Sequence, residues 1–288
     1  MTGMLDRLLA GEILDPSAGA PVTVSTRRIL VEPSLKGAEA EALDGLDLGA
    51  RLAVVADPAT RAVLGDRVAR ALESLAQVVP VTFPGPPHPD DATLKRLAAE
   101  TATCDGLVAV GSGSINDLCK QVAADAGKPY VVFPTAPSMN GYVSANAAIT
   151  LSGHKTTLAA AAPVAVLVDL AVLLAAPPRL IRAGLGDSLC RPTAQADWLL
   201  SHLLLDTRYD ELPFFLLSED EPGLFAEAEG LLRGDAAVMA RLVRTLLLSG
   251  FGMTLAGGSY PASQGEHLIS HYIDMMAPAG LPESFHGE

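Results

Sequence analysis

Apolar positions in the first 176 residues fall into short unbroken runs, separated by stretches in which an apolar residue returns every third or fourth position. Residues 51–56 (RLAVVA), 78–83 (VVPVTF), 106–110, 130–133 and 164–168 read as buried strands, and residues 60–72, 91–100 and 114–126 as amphipathic helices. Strands that alternate with helices of this length imply parallel pairing, with helices covering the sheet. Residues 142–151 (YVSANAAITL), followed by SGHK, predict a hairpin leading into the strand at 164–168. After Pro177 and Pro178 the strand-like runs stop, and Leu, Ala and Arg recur at helical spacing through 180–205 and 225–253. The expected organisation is an α/β domain over residues 1–176 and an all-α domain over residues 177–288. There is no internal repeat. The chain stops at SFHGE without a helix-ending signal, so the helical domain is expected to be truncated.

The composition narrows the class. The sequence is 49 % hydrophobic with one Trp, which speaks against disorder. The most membrane-like stretch, residues 158–178, is rich in alanine and interrupted by Pro163 and Asp169, so it reads as a buried strand and a core helix rather than a span. With 20 Lys and Arg against 33 Asp and Glu, the net charge of −13 leaves no cations for a broad nucleic-acid footprint. The first residues, MTGMLDRLLAGEILD, lack a cationic start before a long apolar run and do not read as a signal peptide. Cys104, Cys119 and Cys190 are odd in number and outside any CxxC pair, which points to a reducing compartment, the cytoplasm, and away from a thiolate zinc site.

Three segments carry candidate chemistry. GSGSIND (residues 111–117) follows the apolar run LVAV. Gly111 and Gly113 permit a tight strand-to-helix turn whose first helical amides face an anion, so the segment is a pyrophosphate cradle or, with Ser114 and Asp117 three apart, a helix-capping box. It is not GxGxxG, because Asn116 takes the third glycine's place. PTAPSMNGYVS (residues 134–144) offers the hydroxyls of Thr135, Ser138 and Ser144 at the end of the next strand, where open α/β sheets bind ligands; taken alone, the segment reads first as an ordinary Pro/Ser/Asn/Gly turn. In the helical half, Asp187 follows a glycine turn, and His267 and His271 are four apart on one helix face. A carboxylate with two imidazoles suits a divalent transition metal with an open position; the alternative is surface decoration of a helix. His154 and His202 read as structural or surface residues.

Taken in order, GSGSIND, TAPSMNGYVS, LGDSLCRPTAQADW, GSYPASQGEHLISH and FHGE resemble the family of iron-containing alcohol dehydrogenases, dehydroquinate synthase and glycerol dehydrogenase, most closely its sn-glycerol-1-phosphate dehydrogenase branch. The resemblance runs from about residue 51 to the end. It implies an N-terminal Rossmann-like domain for NAD(P) and an all-helical C-terminal domain for metal and substrate. By position, Gly111, Gly113, Ser114, Ile115, Asn116 and Asp117 would hold the pyrophosphate, Thr135, Ser138 and Ser144 the nicotinamide side, and Asp57 the adenosine ribose. Asp187, His267 and His286 match the metal ligands, for Zn²⁺ or Ni²⁺. His271 and Asp187 match substrate contacts, and Lys155 is a candidate counter-charge for a substrate phosphate. Asn140 stands where the family motif usually has Asp, exchanging a carboxylate for an amide that carries no charge and cannot act as a base.

The activity so implied is interconversion of dihydroxyacetone phosphate and sn-glycerol 1-phosphate by hydride transfer. Two alternatives are a metal-dependent glycerol or polyol dehydrogenase and a catalytically idle NAD-binding homologue. A small phosphorylated polyol or ketone is the expected partner, with no nucleic acid and no membrane span, and the chain is expected to form a homo-oligomer. Asp57 favours NAD over NADP, since a carboxylate near the ribose repels a 2′-phosphate.

Overall fold

The computed structural model describes residues 3–276. Every strand expected from the apolar runs is there, together with one the runs did not announce. The strands are β1 (Arg28–Glu32), β2 (Arg51–Ala56), β3 (Gln77–Thr82), β4 (Gly106–Gly111), β5 (Tyr130–Pro134), β6 (Asn146–Leu151), β7 (His154–Ala159) and β8 (Ala165–Asp169). Six of them form one parallel sheet in the order β1-β8-β5-β4-β2-β3, and β6 and β7 form a separate antiparallel hairpin. In β4, β5 and β8 every residue is buried, as expected of central strands covered on both faces. β3 lies at the edge, which is why Pro80, unable to donate a ladder hydrogen bond, is tolerated there.

The strands and hairpin belong to an α/β unit of Ser25–Ala136 and Gly141–Ala176. Its helices follow the predicted spans closely. A helical stretch runs from α2 (Pro58–Thr60) through a π turn (Arg61–Gly65) into α3 (Asp66–Leu72), followed later by α4 (Asp91–Glu100), α5 (Gly113–Ala126) and the short α6 (Leu170–Leu174). Gly127, left-handed at φ +63°, closes α5. Asp169 caps α6, its Oδ1 accepting from the Ala171 and Val172 amides, and its other oxygen accepts from the Leu35 amide and pairs with Arg67, which also pairs with Glu39. A carboxylate with no exposure is thus fully engaged.

The second unit comprises the described residues of Met1–Val24, Pro137–Asn140 and Pro177–Glu288. Helix α1 (Met4–Leu9) opens it, and the later helices are α7 (Pro178–Leu189), α8 (Arg191–Leu205), α9 (Leu212–Phe215), α10 (Glu221–Glu227), α11 (Ala236–Ala256) and α12 (Gly265–Met276). Helix α11 is the core element, packed against α7, α9 and α10. It is long and apolar enough to cross a membrane by length and composition, but 72 % of its apolar window is buried within the protein. The short segment 137–140 belongs with these helices although it interrupts the α/β stretch of the chain.

Candidate functional site

Within the α/β unit the sheet order reverses between β2 and β4: the chain leaves β2 outward to β3, then returns to β4 on the other side of β2 and proceeds to β5. Open parallel sheets bind ligands outside the carboxyl ends of the strands at such a reversal. Asp57 follows β2 and the glycine turn follows β4. Gly111 lies so close to Ile115 that a Cβ would sit 2.6 Å from its Cδ1, so the turn has no room for a side chain there. Helix α5 starts two residues earlier than the S-x-x-D reading requires, with Ser112 at the N-cap and no side chain capping the first turn. Asp117 instead accepts from the Asn116 side chain (3.1 Å) and the Ala148 amide (3.3 Å). The capping-box alternative for Ser114 and Asp117 is therefore not what the backbone adopts.

The other expected cofactor residues already have work inside the protein. Asp57 caps α2, its Oδ1 accepting from the Thr60 amide at 2.8 Å. The Thr135 amide donates to the Gly111 carbonyl (3.1 Å), which holds the end of β5 beside the glycine turn. Ser144 is buried and accepts from the Lys120 ammonium at 3.1 Å. Lys155 is exposed on β7.

Lys120 is a residue that sequence reasoning missed. It has no exposure, and its ammonium also donates to the carbonyls of Gly141 (2.6 Å) and Asn146 (2.9 Å), so it fastens the loop after β5 to α5. Burial pulls it down to about 8 from the usual 10.5, against the attraction and hydrogen bonding of Asp117. The folded protein then releases this proton at lower pH than the unfolded chain does. The penalty of the buried charge is fully present below about 8 and is relieved as pH rises toward the unfolded value. The unfolding free energy of the wild type relative to Lys120→Met is accordingly expected to rise by up to about 1.4 kcal/mol per pH unit above that point. Urea melts of both proteins at pH 7.5, 8.5 and 9.5 check this, and a pH-independent difference contradicts it.

In the helical unit the donors come from α7 and α12. Gly184 on α7 allows the backbone of 137–140 to approach so closely that a Cβ would lie 1.6 Å from the Pro137 carbonyl oxygen. That approach lets the Asn140 amide donate to Asp187 Oδ2 at 2.8 Å, and the Asn140 side chain donates to Ser249 Oγ on α11 at 3.2 Å. Asp187, one turn beyond Gly184, is 1 % exposed, and His267 on α12 is 7 % exposed. Glu266 Oε1 lies 2.7 Å from His267 Nδ1, and Nε2 faces Asp187 Oδ1 at 3.7 Å. A carboxylate on one ring nitrogen that aims the other is the arrangement that orients metal-binding imidazoles. Burial lowers the His267 pKa, but hydrogen bonding to Asp187, Cys190 and Glu266 and the charge of Asp187 outweigh it, and the group rises to about 10. His271 is half-buried one turn further on, its ring centroid 6.3 Å from that of His267. Ser138 is buried in the 137–140 segment. His286 lies outside the described residues.

Ligand atoms of Asp187, His267 and Cys190 all lie within 4.8 Å of one another. Nothing in the cysteine pattern pointed to a sulfur donor here. Cys190 has no cysteine partner in sequence, but it ends α7 three residues after Asp187, so helical geometry returns it to the same face. The buried oxygen and nitrogen donors and the half-buried sulfur fit a divalent transition ion.

The family model described as iron-containing alcohol dehydrogenase matches residues 30–177, just over half of the chain. The glycerol-1-phosphate dehydrogenase [NAD(P)+] of Bacillus licheniformis is 35 % identical over 232 residues, covering 79 % of this chain and 58 % of that relative. The one from Thermococcus kodakarensis is 32 % identical over 267 residues, covering 91 % of this chain and 74 % of the relative. This chain thus spans only part of the length of the relatives it matches. Among solved structures, a probable glycerol dehydrogenase from Sinorhizobium meliloti superposes with a TM-score of 0.75 at 23 % identity, over 91 % of this chain and 73 % of the other, a likeness of fold. The parallel sheet with its reversal, the helical half with its donor cluster and these identities converge: the chain belongs to the iron-containing alcohol dehydrogenase family, in its glycerol-1-phosphate dehydrogenase branch.

Proposed function

We propose that this protein interconverts dihydroxyacetone phosphate and sn-glycerol 1-phosphate with NAD or NADP, and that Asp187 and His267, with His286, hold the divalent ion, Zn²⁺ or Ni²⁺. The observation that carries the reading is the convergence of Asp187 and His267, from helices some 80 residues apart in sequence, into one buried cluster beside the anchored Asn140. A bound nicotinamide supplies the hydride acceptor or donor, and a bound divalent ion supplies polarisation of the C2 oxygen.

The chain's own residues do the rest. The turn of Gly111, Gly113, Ser114, Ile115, Asn116 and Asp117 presents the uncapped first-turn amides of α5 to the pyrophosphate. Thr135, whose amide donates to the Gly111 carbonyl, is assigned to the nicotinamide, as are Ser138 and Ser144, and Asp57, which follows β2, is assigned to the ribose. Asn140 orients substrate through its amide while its backbone fixes Asp187, and it takes no proton. Reduction of the ketone takes one hydride and one proton, and His271 is assigned as the route for that proton to the C2 oxygen. Lys155 is assigned to the substrate phosphate as a point charge.

The deciding measurement is NADH oxidation by dihydroxyacetone phosphate, before and after chelation, with free glycerol and NAD as the comparison. Phosphate-dependent turnover that chelation removes and zinc or nickel restores is the expected result. Turnover on free glycerol alone would make the protein a polyol dehydrogenase, and absence of a stoichiometric metal would make it an idle homologue.

A further inference from the structure

We propose that Cys190 is a metal ligand in this protein, its thiolate joining Asp187 and His267 in a mixed oxygen, nitrogen and sulfur set that selects a borderline-soft divalent ion over a hard one. The inference rests on the reading that Asp187 and His267 hold the metal. Its own support is positional. Cys190 Sγ lies within 4.8 Å of the ligand atoms of both residues. It stands at the junction of α7 and α8, and the next residue locks that junction: Arg191 is 2 % exposed, pairs with Glu221 at 2.6 Å and lies over the Phe214 ring. The sulfur is therefore held by a rigid corner rather than a loop. Its hydrogen bonds to the carbonyls of Asp187 (3.3 Å) and Ala262 (3.8 Å) are the weak ones a thiol makes, and a sulfur to metal bond would be stronger than either.

The chemistry is ordinary ligand exchange. The thiol proton leaves to solvent, a sulfur to metal bond forms, and nothing is oxidised. A thiolate favours zinc, cobalt and nickel, whereas magnesium and manganese prefer sites made of oxygen. The sulfur donor thus sets which ions the site accepts.

The test is to strip the full chain with chelator and titrate in one equivalent of cobalt(II). Visible d–d bands report that the ion is bound, and a near-ultraviolet charge-transfer band reports a thiolate ligand. The wild type should show both. Cys190→Ser and Cys190→Ala should keep the d–d bands, lose the charge-transfer band and weaken cobalt about tenfold or more while leaving manganese affinity unchanged. Zinc X-ray absorption of the wild type should show one sulfur neighbour at about 2.3 Å. Cobalt bound with d–d bands but without the charge-transfer band, or zinc without sulfur, overturns the role of Cys190 and leaves the metal reading intact. No cobalt bands at all in the wild type overturns both. Because Cys104 and Cys119 are buried, alkylation of the native protein reports on Cys190, and zinc should block it in the wild type but not in Asp187→Asn.

Discussion

His267→Ala is expected to abolish metal loading and lower turnover by about 10³-fold or more, the loss of several kcal/mol of charge stabilisation at the reacting oxygen, while NADH binding stays within about twofold of the wild type. The split follows from where the residues sit. His267 is in the helical unit, tied to Glu266 and facing Asp187, whereas the glycine turn and the sheet reversal lie in the α/β unit. Asp187→Asn should give the same loss by a different route: the Asn140 amide still finds an oxygen to donate to, but the charge that attracts the ion is gone. Metal content by elemental analysis and NADH binding by fluorescence, measured on the same samples, separate the two functions. Turnover retained by metal-free His267→Ala would remove the imidazole from the chemistry.

The parallel sheet was legible because its central strands are bare apolar runs, and GLVAVG, YVVFP and AVLVD could be nothing else. β1 was not, because RILVE is four half-covered residues and an exposed Glu32 at a sheet edge, and its partner β8 lies far along the chain. Likewise the glycine turn announced itself, yet the start of α5 at Gly113 did not, since the S-x-x-D spacing offered a competing cap that the backbone declines. Asp187 and His267 could be named from their motifs. Cys190 has no neighbouring cysteine to mark it, and its only signal is the three-residue spacing from Asp187 that puts both on one face at the end of α7, with His267 arriving from α12. Lys120 had no signal beyond a cation on the buried face of α5; its acceptors, the carbonyls of Gly141 and Asn146, lie more than twenty residues on.

Gly184→Ala is expected to destabilise the helical unit by about 3 kcal/mol or more and to cost most of its metal affinity, although alanine is the better helix former by about 1 kcal/mol. The reason is that the added Cβ meets backbone, not a side chain that could swing away: it would lie 1.6 Å from the Pro137 carbonyl oxygen and 2.8 Å from its carbon. The segment 137–140 must therefore lift off α7. Asn140 moves with it, and the 2.8 Å bond from its amide to a carboxylate that is 1 % exposed is lost. A buried charge deprived of its donor is costly in its own right, so the steric and electrostatic terms add. Urea unfolding gives the stability loss, and cobalt titration of the folded fraction gives the loss at the site. If Gly184→Ala melts like the wild type and still takes up one cobalt, then the close approach of Pro137 to α7 is not what holds Asp187 in place.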